Sequence, residues 1–169
     1  MAINKLRPYF DVSELDSSFN KKQIDQLYEV FKEHFVFDPF TVGGKKIKII
    51  HQKSRIDQYA DYSETFTHII TRKAYAFNNR IYLSDRANRI HWIRPILQSP
   101  PSKDIFYYRW KDDDGICKHH YWVFDLNYMV VTVDVKPDLR IVTAFCVDKD
   151  EKGKFYERFK NFKEGEDCL

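Results

Sequence analysis

Between Phe19 and Phe37, the residues Ile24, Leu27, Tyr28, Phe31 and Phe35 recur at three- and four-residue spacing, with Lys and Glu between them. That period predicts an amphipathic helix. Ser17, Ser18 or Asn20 can cap its start, and Asp38-Pro39 ends it. Gly43-Gly44 then turns the chain into a strand where Ile47 and Ile49 alternate with Lys46 and Lys48. Residues 54–65 are polar and carry no clear period. The run Phe66–Lys73 reads as a strand with Phe66, His68, Ile70 and Arg72 on one face and Thr67, Ile69 and Thr71 on the other. A short apolar segment, Ile81–Leu83, leads into a helix opened by Ser84-Asp85. Its stripe is Ile90, Ile93 and Leu97, widened by Trp92 and Ile96, with Pro95 as a kink or a last turn. After Pro100-Pro101 come four β-branched and aromatic runs with short polar links, which predict an antiparallel meander. The charged tail from Glu151 to Leu169 holds a short helix at Lys154–Phe162.

Helices first and strands last predict an α+β fold, with N-terminal helices packed on a four- to six-stranded, mainly antiparallel sheet. No boundary divides the 169 residues, so one domain is expected: lead-in and helix in 1–40, sheet and central helix in 41–150, tail in 151–169. Hydrophobic residues at 43% and only five Gly exclude disordered and collagen-like chains. A net charge of +3 permits an anionic partner without demanding one. Three cysteines without a C-x-x-C pair argue against a disulfide framework and for a reducing compartment. With no apolar run of signal-peptide or membrane-span length, a soluble, cytoplasmic protein is expected.

Candidate chemistry is thinner. On a helical wheel Arg86 falls within roughly 20° of Ile93 and Leu97, and Arg89 lies beside that stripe. A guanidinium cannot shed its proton, so Arg86 and Arg89 either snorkel and pair at the first turn or face a phosphate in a cleft beside the sheet. His68, flanked by apolar residues, is a core histidine or an acid–base group. Arg72 would lie about 13 Å further along the same strand face. Thr143 interrupts the apolar series Ile141, Phe145, Val147, as a strand-favouring residue or as a functional hydroxyl. Tyr107, Tyr108, Trp110, Tyr121 and Trp122 lie near Arg109 and Lys118, a mixture that suits both sheet packing and stacked bases. No metal cluster, phosphate loop or nucleophile elbow is present, and Asp112-Asp113-Asp114 reads as a hairpin tip.

The order of these signals has a counterpart. Phe66-x-His68-Ile69-x-Thr71-Arg72 precedes Asp85-Arg86-Ala87-x-Arg89-Ile90-x-Trp92-Ile93, followed by Tyr128-x-Val130-Val131 and Ile141-x-Thr143-Ala144-Phe145. This resembles the phage-associated branch of the BECR-fold nucleases, the barnase/EndoU/colicin/RelE-like ribonucleases, over roughly residues 46–162. The resemblance implies RNA cleavage by 2′-hydroxyl attack on phosphate without metal or other cofactor, in a toxin or phage-related effector. His68 would be the acid/base, Arg86 and Arg89 would hold the phosphate, and Thr143 would bind it or orient His68. Arg72, Thr71, Tyr107 and Tyr128 complete the expected substrate contacts. RNA is the expected partner, with a cognate antitoxin or immunity protein as a second one and no membrane. A non-catalytic RNA-binding or protein-interaction module on the same scaffold is the alternative, and oligomeric state stays open.

Overall fold

Asn20 opens the first helix by accepting a hydrogen bond from the Gln23 N–H at 3.1 Å, which satisfies one of the donors every helix start leaves free. α1 (Lys21–Lys32) follows and widens into a π-type turn, Glu33–Phe37. This computed structural model describes residues 2–74 and 79–168. β1 (Thr41–Val42) and β2 (Lys45–Lys48) form a hairpin over Gly43-Gly44, both at positive φ. Then come α2 (Glu64–Ile70), β3 (Thr71–Lys73), β4 (Arg80–Tyr82), α3 (Ser84–Ala87) and α4 (Ile93–Gln98). The chain closes with β5 (Ile105–Lys111), β6 (Cys117–Val123), β7 (Tyr128–Val135), β8 (Asp138–Cys146) and α5 (Lys149–Lys163).

The main sheet has six strands in the order β1-β2-β8-β7-β6-β5. The expected meander is β5 to β8, antiparallel throughout. The sheet as a whole is mixed, because β2 runs parallel to β8 through Ile47↔Leu139 and Lys48↔Arg140. Its two faces carry separate apolar clusters. Ile105, Tyr121, Tyr128, Val130 and Ile141 join a cluster with Ile24, Leu27 and Phe31 of α1, Phe66 and Ile69 of α2, and Ile96 of α4. α1 itself packs chiefly on the 3₁₀ turn Ile90–Trp92. On the other face Trp122, Met129 and Val131 pack with Phe155 of α5, and Phe159 stacks on Phe106 at 4.4 Å. The charged tail is therefore longer in helix than expected and closes one side of the core.

Three local expectations are overturned, each for a visible reason. Phe66–Ile70 is helical, not extended. Ser63 caps it with its hydroxyl on the Phe66 N–H at 3.4 Å, Glu64 stands in the first turn, and Phe66, Ile69 and Ile70 are buried at helical spacing. The central helix is broken into α3, a 3₁₀ turn and α4. Asn88 spends its side chain on the lead-in, accepting from Phe10 N–H at 2.7 Å and donating to Phe10 carbonyl at 2.9 Å, a competition that disfavours continued helix. Pro95 then sits in the first turn of α4, where no N–H is needed. Lastly, Cys117 and Cys168 are disulfide-bonded, leaving Cys146 free. α5 carries the chain end back to the start of β6, a closure that an odd cysteine count does not reveal.

Candidate functional site

α2 and α3 pack against β8. The Ile50 N–H, just beyond β2, donates to Thr65 Oγ1 at 2.7 Å and ties the start of α2 to the sheet. Between α2, the 50–56 segment and β8 lies a hollow of about 400 Å³. Its wall carries the guanidiniums of Arg55, Arg80 and Arg140 against one carboxylate, Glu64. Thr67 and His68 also line it; the Thr67 hydroxyl is buried and has no hydrogen-bond partner among the described residues.

The arginines are placed by the α2–β3 junction. Thr71 Oγ1 donates to the Thr67 carbonyl at 2.6 Å and accepts from Arg80 Nε at 2.6 Å. The Thr71 carbonyl accepts from Arg80 Nη2 and from Arg86 Nη1, both at 3.2 Å. Arg80 Nη2 also reaches the His68 carbonyl at 3.4 Å. Two cations thus converge on one neutral backbone oxygen. Among the described residues, Arg55, Arg80, Arg86 and Arg140 form no ion pair. Arg80 and Arg86 are partly desolvated and without an ion-pair partner, Asp148 acting on Arg86 only through space, an arrangement that attracts an external anion.

His68 is exposed at the rim, yet protein atoms crowd its ring enough to strip hydration. Burial first, then the charges of Arg80 and Arg86, push its pKa down to about 4. The imidazole is therefore neutral at pH 7, so it can accept a proton from a donor. Its basicity is low in the empty hollow; an anion that compensates Arg80 and Arg86 raises it.

The expected site residues divide as follows. His68 and Arg86 are electrostatic neighbours, but Arg86 lines an adjoining hollow of about 340 Å³ together with Arg72 and Asp148. With α2 helical, His68 and Arg72 no longer share a strand face. Thr71 is fully buried and orients arginines from behind. Arg89 donates to the Asp85 carbonyl at 2.9 Å and lies over the Trp92 ring. Thr143 follows a bulge: Val131 pairs with Thr143 but Thr132 with Ile141, so Val142 is extra and Ile141 and Thr143 face opposite sides. The expected common face of Ile141, Thr143 and Phe145 is thereby split; Ile141 joins the first cluster, while Phe145 packs with the second. Tyr128 is fully buried edge-on against Trp92, with no face open to a base. Tyr107 lines a different cavity.

Arg55, Arg80, Arg140 and Thr67 escaped the sequence reading. The only local signal was basic residues spaced through polar stretches, and their convergence depends on α2 being a helix beside β8. Asp112 and Asp114 at the β5–β6 turn pair with Lys118, as a hairpin tip does. The grouping of Cys117, Asp167 and Cys168 is a disulfide beside a carboxylate held by Arg109. No helix among the described residues is long and apolar enough to cross a membrane. No protein-family profile, curated protein or solved structure matches this chain.

Proposed function

We propose that the hollow between α2 and β8 binds an RNA phosphodiester, and that the chain is an endoribonuclease of the BECR type cutting through 2′-hydroxyl attack. The observation that supports it is a neutral, solvent-reachable imidazole beside guanidiniums that have no carboxylate partners. Arg80 and Arg140 neutralise the scissile phosphate, with Arg86 completing the positive field from the adjoining hollow. Filling the site with a dianion-like phosphorane strengthens these contacts in the transition state relative to the ground state, which is where they accelerate the reaction. His68 takes the proton of the 2′-hydroxyl as O2′ attacks phosphorus, the P–O5′ bond breaks with O5′ taking a proton from water, and the hydroxide so formed recovers the proton from His68. Phosphate binding offsets the two cations that depress His68, so basicity rises when substrate is present.

Whether the chain is a toxin or a phage-related effector, a cognate antitoxin or immunity protein is the second partner of this proposal. The low basicity of His68 favours one competing reading, an RNA-binding module without cleavage. Both are decided by incubating labelled single-stranded RNA with the wild type, His68→Ala and Arg80→Ala. Cleavage reduced about 100-fold or more in each variant, with melting temperatures unchanged, is the expected result. Salt-sensitive binding with intact RNA identifies the binding module. Full cleavage by His68→Ala removes the imidazole from the mechanism.

A further inference from the structure

A second cavity, of about 600 Å³, opens between the β1–β2 hairpin, the end of α4 and the β5–β6 strands. Lys45, Tyr107 and His119 line it, and they belong to a row of polar side chains that crosses the sheet behind it. The Tyr107 hydroxyl lies 2.7 Å from His119 Nδ1, and His119 Nε2 lies 3.1 Å from Asp134 Oδ2. Lys45 Nζ holds the other oxygen of Asp134 at 3.0 Å. The carboxylate can only accept, so Nε2 carries the imidazole proton and Nδ1 accepts from the phenol. Arg109 Nη1 donates to the same phenolic oxygen at 3.3 Å, and Arg109 is itself clamped by Asp167. His119 is 8% exposed with both nitrogens engaged, whereas Tyr107 is half-buried on the cavity wall; burial pushes its phenol up against the lowering charge of Arg109, so removal of its proton falls to His119.

Hydroxyl, base and orienting carboxylate within hydrogen-bond reach form the arrangement of an activated nucleophile. We propose that Tyr107 is the nucleophile of a second catalytic centre that transfers acyl groups from uncharged, activated carboxylic esters. Charge and lining select that class. Lys45 is compensated by Asp134 and Arg109 by Asp167, so no net field gathers phosphates, and Val42, Leu97, Pro101 and Leu139 give the cavity an apolar wall. Activation is required because a phenolate is expelled in preference to an ordinary alkoxide; the leaving group must be about as acidic as a phenol, as in an aryl ester or thioester.

In the first step the Tyr107 oxygen bonds to the carbonyl carbon while its proton passes to His119 Nδ1, and Asp134 stabilises the imidazolium. The ester C–O or C–S bond then breaks, and the leaving group takes that proton. In the second step water adds to the acyl-tyrosine while His119 accepts a water proton; the carboxylic acid departs and the phenolate, held by Arg109, recovers the proton from His119. Neither step touches His68.

The test uses p-nitrophenyl butyrate with the full chain. Expected are a butyryl adduct mapped by mass spectrometry to Tyr107 in rapidly quenched wild type, and p-nitrophenol release lowered about 100-fold in Tyr107→Phe and in His119→Gln. Equal release by Tyr107→Phe, or an adduct only on lysines and other histidines, overturns the proposal and leaves the row as a structural hydrogen-bond chain. The adduct measurement needs no variant, so it decides the matter even if a substituted chain does not fold.

Discussion

Replacing Arg80 by Gln removes one of the two cations beside His68 while leaving the Thr71 hydroxyl its bond to the Thr67 carbonyl. The imidazole midpoint near 4 has three causes, with burial the largest and Arg80 the larger of the two charges. For an assumed separation of about 7 Å and an effective dielectric of about 40, a unit charge is worth roughly 1.2 kcal/mol, which is about one pH unit. The His68 midpoint is therefore expected to climb to about 5 in Arg80→Gln, short of the ordinary value because burial and Arg86 remain. Inorganic phosphate should move the wild-type midpoint in the same direction, and less so in the variant. Proton NMR of the imidazole Cε1–H, assigned by comparison with His68→Asn, follows both shifts. A wild-type midpoint near 6.5, or one that ignores the loss of Arg80, would refute the electrostatic account on which the RNA site rests.

Acid should destabilise the fold through His120, which is 4% exposed, stacked on Tyr108 at 4.6 Å and pushed down to about 4 by burial. Its neutral form is the folded one, and the unfolded chain takes up a proton below about pH 6.5, so stability is complete above that pH and is lost as pH falls toward 4. The loss is at most about 3 kcal/mol; urea midpoints at pH 7 and pH 4.5 should differ less in His120→Phe. The exposed rim position of His68 makes its share smaller through solvent screening. Cys168→Ser opens a link between residues 51 apart, which should cost up to about 4 kcal/mol by loop-closure entropy. Dithiothreitol should then lower the melting temperature of the wild type but not of the variant.

Much of the architecture is readable in residue order. The α1 stripe, the hairpin glycines and the four closing strands each carry a strong local period, and local periods survive any tertiary context that buries the same face. The site was half readable. His68 and Arg86 stand out as a titratable ring and an arginine at apolar spacing, and the structure makes them electrostatic neighbours. What the order of residues leaves open is set by contacts between distant segments. Phe66–Ile70 fits both a strand and a helix over so short a run, and burial against α1 and β8 decides for the helix. The extra residue at Val142 turns Thr143 to the opposite face, a pairing choice made by β7 and not by β8 alone. Arg55, Arg80 and Arg140 come from three separate stretches and meet only where the chain returns on itself. Hydrophobic period is a property of neighbours in sequence, whereas a charged hollow is a property of neighbours in space.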